Sequence, residues 1–179
     1  MKKAIFFDRD GTLIKDMVYL NDPHQIYYLD RCFESLKILK ESGYQLFMAT
    51  NQSGVARGIV EPKNLELINK LIVDEFAKHG ALFEKVYFCP HPVDGGCECR
   101  KPRPGMLHQG AKEFGLDLSK CWMIGDRLSD VDAGLNAGAR SILMTPQPSF
   151  DDDRRKFWAP DLMAVAQKIL VEDSLLLAK

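Results

Sequence analysis

Short apolar runs recur along the chain, and the intervals between them carry helical periodicity. The runs "AIFF" (4–7), "QLFMA" (45–49), "KVYF" (85–88), "CWMIG" (121–125) and "SILM" (141–144) have strand length and polar or glycine boundaries. Between them, "CFESLKILKESG" sets Phe33, Leu36 and Leu39 on one face before a stop at Gly43. The stretch "PKNLELINKLIVDEFAKHG" enters at Pro62, repeats Leu65, Ile68, Leu71, Ile72 and Phe76, and ends at Gly80. "PGMLHQGAKEFG" and "SDVDAGLNAGA" follow suit, the second with Ser129 as its expected N-cap. The proline- and charge-rich "TPQPSFDDDRRKFWAP" reads as a surface connection, and "DLMAVAQKILVEDSLLLA" as a last helix that packs back on the sheet. Strands alternating with helices in this way predict an α/β protein with a parallel sheet covered on both faces.

Composition narrows the classes. At 179 residues and 46% hydrophobic content the chain suits one packed domain. Its 24 Lys plus Arg nearly balance 25 Asp plus Glu, for a net charge of −1, so the overall charge recommends neither nucleic acid nor an anionic membrane as partner. No apolar run has the roughly 20 residues that span a bilayer, and "MKK" is not followed by a signal-peptide core. A soluble, cytoplasmic monomer is expected. Of the five cysteines, Cys32 and Cys121 sit among apolar neighbours and read as core, while the other three crowd into residues 89–99.

Chemistry gathers where the first four runs end, in "DRDGT", "TNQSGVARG", "CPHPVDGGCECRKPRPG" and "GDRLSD". Open parallel sheets bind ligands beyond the carboxyl ends of their strands, so these segments are expected to share one edge. If the chain is still extended after Phe7, Asp8 and Asp10 face one side and Arg9 the other, and Gly11 then permits a sharp turn. An aspartate is ionised at neutral pH and attacks phosphorus without a base. The obstacle is charge: two like charges about 4 Å apart repel by roughly 4 kcal/mol at an effective dielectric of about 20. Asp126, at the end of "MIGD", joins Asp8 and Asp10 in an all-oxygen site suited to Mg²⁺, with Asp130 one helical turn on and placed to hold metal-bound water. Thr50 and Asn51 add a hydroxyl and an amide, and Gly54 frees the following backbone to donate to phosphate oxygens. Lys101 is the candidate phosphate-neutralising cation, and Arg100 beside it can grip a second anion.

The spacing Cys89-x-His91-x5-Cys97-x-Cys99 supplies three thiolates and one imidazole, a closed tetrahedral Zn²⁺ set with no open position. Such a metal clamps the 89–99 loop and fixes Arg100 and Lys101 directly after it. A disulfide within the loop is the alternative. His24, His79 and His108 lie outside the cluster and read as ordinary surface or boundary residues.

"DRDGTL", "TNQSG", "RKPRPGM" and "GDRLSD" resemble, in order, the four signature motifs of the haloacid dehalogenase (HAD) superfamily of phosphatases. The resemblance implies a Rossmann-like HAD fold, in which Asp8 forms an aspartyl-phosphate and Asp10 protonates the leaving oxygen and later activates water. It also implies that Thr50 and Lys101 stabilise the phosphoryl group, and that Asp8, the Asp10 carbonyl and Asp126 hold Mg²⁺. The intervals between motifs leave no room for a large cap domain. Within the superfamily, a capless chain with this zinc loop is most similar to the heptose 1,7-bisphosphate 7-phosphatases and to the histidinol-phosphate phosphatases. "TNQSGVARG" and "CRKPRPGM" favour the first group and a phosphorylated sugar as substrate. By the same resemblance, Asp16, Met17, Val18 and Tyr19, with Asn51, Gln52 and Ser53, touch the sugar, and Arg100 and Arg127 recognise the distal phosphate or the hydroxyls. A non-catalytic, zinc-stabilised phosphate-binding module is the reading from another class.

Overall fold

A computed structural model describes residues 2–146 and 158–177. Six strands, β1 (Ala4–Phe7), β2 (Gln45–Asn51), β3 (Phe83–Cys89), β4 (Trp122–Gly125), β5 (Arg140–Met144) and β6 (Trp158–Ala159), form one sheet in the order β3-β2-β1-β4-β5-β6. Every pairing is parallel. The five helices are α1 (Cys32–Glu41), α2 (Pro62–Lys78), α3 (Gly105–Phe114), α4 (Leu128–Asn136) and α5 (Leu162–Leu177).

Strand alternation divides the core in two. Ile5, Phe7, Leu46, Met48, Trp122 and Ile124 face α1, α2 and α5, packing with Leu36, Leu39, Ile72, Phe76 and Val165. Ala4, Phe6, Phe47, Ala49 and Met123 face the other way, against Met106 and Leu107 of α3 and Ala137 at the end of α4. The sheet is thus covered on both faces, as its nearly continuous apolar strands require. Cys32 and Cys121 are buried core residues.

The strand order reverses at β1. The chain steps outward to β2 and β3, then crosses back to place β4 on the other side of β1. Loops leaving β1 and β4 therefore diverge and open a crevice at their carboxyl ends. Asp8 follows β1 and donates its backbone N–H to the Ile124 carbonyl at 2.8 Å, so it stands beside the end of β4 and hence beside Asp126.

Two local expectations change. Helix α4 starts one residue before Ser129, and its N-cap is Arg127: the Asp130 carboxylate accepts from the Arg127 backbone N–H at 3.0 Å and so needs no serine. In the expected surface connection, Trp158 and Ala159 pair with Leu143 and Met144 as the edge strand β6. Positions 147–157 of that segment lie outside the described residues. No helix among the described residues is long and apolar enough to cross a membrane.

Candidate active site

Each strand end delivers one part of the site. Asp8, Asp126 and Asp130 present carboxylate oxygens that all lie within 4.8 Å of one another. Into this cluster reaches Lys101, whose Nζ lies 2.6 Å from Asp8 Oδ1, 2.7 Å from Asp130 Oδ1 and 2.6 Å from the Ala49 carbonyl. The lysine is 3% exposed. Burial alone would push its ammonium toward neutrality, but Asp130 and Asp8 outweigh that and raise its pKa above the ordinary value. Asp130 is therefore the counter-ion of Lys101 and the capping group of α4, while its carboxylate stays within the Asp8–Asp126 cluster.

Asn51 fixes the lysine from the backbone side. Its amide donates to the Lys101 carbonyl and accepts from the Lys101 N–H, both at 3.1 Å. Gln52 likewise points inward: its Nε2 donates to Asp10 Oδ2 at 2.8 Å and to Thr50 Oγ1 at 2.9 Å. Both residues line the cavity, and their amides also hold Lys101, Asp10 and Thr50 in place.

Asp10 and Arg9 depart from simple alternation. The strand ends at Phe7, so Arg9 does not point away: its Nε and Nη2 donate to both Asp10 oxygens at 2.9–3.2 Å. Burial raises the Asp10 pKa, with Arg9 opposing it and Asp8 reinforcing it. A carboxyl group held above its ordinary range and facing a cavity suits proton transfer.

The residues present fit a hard cation. Against three clustered carboxylates stand one buried ammonium and the exposed Arg127, 3.9 Å from Asp126 Oδ2; Asp126 is still pushed up to about 7, first by burial and then by Asp8 and Asp130. Gly11, at φ +82°, leaves room for that carboxylate, which a Cβ there would strike. The mismatch in charge yields a pH prediction. Between the ordinary value of 3.8 and about 7 the folded protein holds a proton that the unfolded chain releases. The resulting stability is complete below the lower value and lost as pH rises through the upper one. In Mg²⁺-free buffer the unfolding temperature is therefore expected to fall between about pH 5.5 and about pH 8, and added Mg²⁺ to restore it most at the higher pH. Calorimetry at both values checks this; a metal-independent profile would remove Asp126 from the cation site.

Above the carboxylates opens a cavity of about 670 Å³, with Asp8, Asp10, Thr50 and Lys101 at its floor and Arg57, Arg100, Arg103 and Arg127 around its walls. That volume suits a small phosphorylated metabolite. The 16–19 loop crosses one side, tethered at both ends. The Asp16 carboxylate accepts from Arg127 Nη2 at 2.7 Å, and the Tyr19 hydroxyl accepts from Arg57 Nη1 at 2.9 Å. Asp16, Val18, Tyr19 and Ser53 line the cavity as expected, whereas Met17 does not: it packs against the core. Arg100 has a buried Nη1 without a hydrogen-bond partner, a donor in reserve for a ligand.

The loop of soft ligands closes on itself. Cys89 Sγ lies 3.5 Å from His91 Nδ1 and from Cys97 Sγ, and Cys99 Sγ lies 3.2 Å from His91 Nδ1 and 3.5 Å from Cys97 Sγ. Tetrahedral bonds of about 2.3 Å to sulfur and about 2.0 Å to nitrogen give ligand separations of roughly 3.5–3.8 Å, so the four atoms fit Zn²⁺. The thiols are free, and separations of 3.5 Å exclude the disulfide alternative. Burial opposes ionisation of Cys97, but hydrogen bonds from Cys99 and Cys89 draw it down to about 7. Arg103 Nη1 donates to the Cys97 carbonyl at 2.6 Å, tying the loop to the segment that carries Lys101.

The HAD-hydrolase-like family model matches residues 98–169. A D-glycero-beta-D-manno-heptose-1,7-bisphosphate 7-phosphatase from Pasteurella multocida is 37% identical over 164 residues, covering 87% of this chain and 89% of its own. A D-glycero-alpha-D-manno-heptose-1,7-bisphosphate 7-phosphatase from Campylobacter jejuni is 39% identical, over 84% of this chain and 87% of its own. Among solved structures, a D,D-heptose 1,7-bisphosphate phosphatase from B. bronchiseptica, complexed with magnesium and phosphate, superposes with a TM-score of 0.85 at 31% identity, covering 96% of this chain and 99% of that one.

Proposed function

Because this chain belongs to the HAD-like phosphatases, alongside the heptose 1,7-bisphosphate 7-phosphatases, we propose that it hydrolyses the 7-phosphate of D-glycero-D-manno-heptose 1,7-bisphosphate in a Mg²⁺-dependent reaction. One observation carries the reading: Lys101 wedged between Asp8 and Asp130, with Asp126 beside them, at the floor of an arginine-walled cavity. The floor suits the phosphate that is cleaved, and the wall suits the one that is kept.

In this reading Asp8 attacks phosphorus, the bond to the C7 oxygen breaks, and Asp10 gives that oxygen its proton. Water then attacks the phosphoryl-Asp8, Asp10 takes its proton, and inorganic phosphate leaves. Lys101 and Thr50 face the phosphoryl oxygens throughout. Asp8, Asp126 and the Asp10 carbonyl would hold Mg²⁺, which when bound would supply the positive charge that lets a dianion approach a carboxylate. Cys89, His91, Cys97 and Cys99 hold Zn²⁺ as a structural clamp that sets Arg100 and Lys101 at the cavity. Thiolate ligands of this kind suit a reducing, cytoplasmic setting.

Specificity constants on heptose 1,7-bisphosphate, heptose 7-phosphate and histidinol phosphate test the assignment. A charged hydrogen bond is worth about 1.5–3 kcal/mol, so losing the distal phosphate is expected to lower kcat/KM roughly 10- to 150-fold. Arg100→Ala should erase most of that difference while leaving the monophosphate rate nearly unchanged. A preference for histidinol phosphate would overturn the substrate, and no release from any ester would overturn the enzyme.

A further inference from the structure

Arg9 is fully buried, and a buried guanidinium is costly unless its donors are matched. Two of its nitrogens serve Asp10, and the third, Nη1, donates to Asn69 Oδ1 at 2.9 Å. Asn69 lies on α2, 60 positions along the chain from Arg9 and only 6% exposed. Its helical neighbours on the buried face are Leu65, Ile68, Ile72 and Phe76. An aliphatic residue would serve that face better, since a polar group taken from water needs a partner and asparagine is a poor helix former. The arginine is what the asparagine is there to meet.

The consequence falls on Asp10. A guanidinium is a rigid planar fork, so an acceptor at Nη1 sets the plane in which Nε and Nη2 meet the carboxylate. Gln52 holds Oδ2 from the other side at 2.8 Å. We propose that Asn69 is a positioning residue of the reaction, acting through Arg9 to hold the Asp10 carboxyl group where it exchanges protons with the leaving oxygen and with water. The proposal rests on the acid–base role assigned to Asp10 above.

The test exploits the leaving group. An alkyl ester needs its leaving oxygen protonated, whereas p-nitrophenolate departs without a proton. With the Mg²⁺-loaded protein, Asn69→Leu and Asn69→Asp are compared with the parent on heptose bisphosphate at steady state and on p-nitrophenyl phosphate in the pre-steady-state burst. The aspartate keeps the asparagine's shape and draws Arg9 toward α2, so it decides the matter should the leucine variant fail to fold. General acid–base catalysis contributes about 10²–10⁴-fold, so a loss of at least about tenfold in kcat on the sugar ester is expected. KM and the burst rate should stay within about twofold. Unchanged kcat in the aspartate variant, or equal losses on both esters, would overturn the proposal. Asp10→Asn separates the two levels. If it shows the leaving-group-dependent loss and the Asn69 variants do not, only the positioning role fails; if it does not, the acid–base role of Asp10 fails first.

Discussion

Asp8→Asn protein is expected to fold, to bind phosphate esters, and to release no phosphate. An amide nitrogen has no lone pair to offer phosphorus at neutral pH and the remaining oxygen is a poor nucleophile, so the covalent route closes. Removal of a nucleophile in other hydrolases costs on the order of 10⁴-fold or more, and a loss of that size is expected here. Stability should move little, because the substitution preserves volume and removes one negative charge from a cluster that has an excess of them. Lys101 keeps Asp130 at 2.7 Å and the Ala49 carbonyl at 2.6 Å. The direct measurement is transfer of labelled phosphate from substrate to protein, followed by denaturation in acid. The parent should carry label and the variant none. Ordinary turnover by the variant would end the claim that Asp8 is phosphorylated.

How far the sequence speaks depends on the range of the interaction. Apolar runs located β1, β2, β4 and β5 because a strand buried on both faces must be apolar throughout, and the edge strand β3 by the apolar residues of its buried face. Their ends were less legible. β2 and β3 continue through Asn51 and Cys89, because parallel pairing holds the backbone extended into residues chosen for chemistry. β6, only two residues long, has no periodicity to read. The site's membership follows from topology: once the strand ends share an edge, Asp8, Thr50, Lys101 and Asp126 must approach one another. Its internal wiring does not follow. Alternation put Arg9 opposite Asp10, but the chain leaves the extended state at Asp8 and the arginine folds back. Asn51 and Gln52 offer amides that could serve a sugar or a neighbour, and nothing local distinguishes these uses. Met17 shows the converse, since an apolar residue inside a polar loop packs inward when core surface lies beneath it. The Arg9–Asn69 bond links positions that no short-range pattern connects. Its only trace is an asparagine on an otherwise apolar helical face.

Lys101→Met carries the second large effect, and it should appear in stability and activity together. The substitution keeps the buried volume and removes the ammonium that Asp8 and Asp130 share. Three carboxylates then lie within 4.8 Å with no fixed cation between them. Breaking a buried pair by removing one partner costs about 3–5 kcal/mol, because the orphaned charge must be neutralised or hydrated. Part of that loss should return with Mg²⁺, which adds positive charge beside the same oxygens, so the variant's unfolding midpoint in urea should depend on Mg²⁺ more steeply than the parent's. Catalysis should not return. Removing one preorganised donor from a transition-state site costs about 10²–10³-fold in kcat, and in the proposed reaction Lys101 faces the phosphoryl group as well as Asp8. Lys101→Arg should rescue neither property: contacts of 2.6–2.7 Å to Asp8, Asp130 and the Ala49 carbonyl enclose a compact ammonium, and a planar guanidinium does not fit there. Urea titrations with and without Mg²⁺, beside kcat on the bisphosphate, separate the two consequences. A methionine variant as active as the parent would mean that the lysine merely fills the space between the carboxylates, and that the charge balance of the site is set by the metal alone.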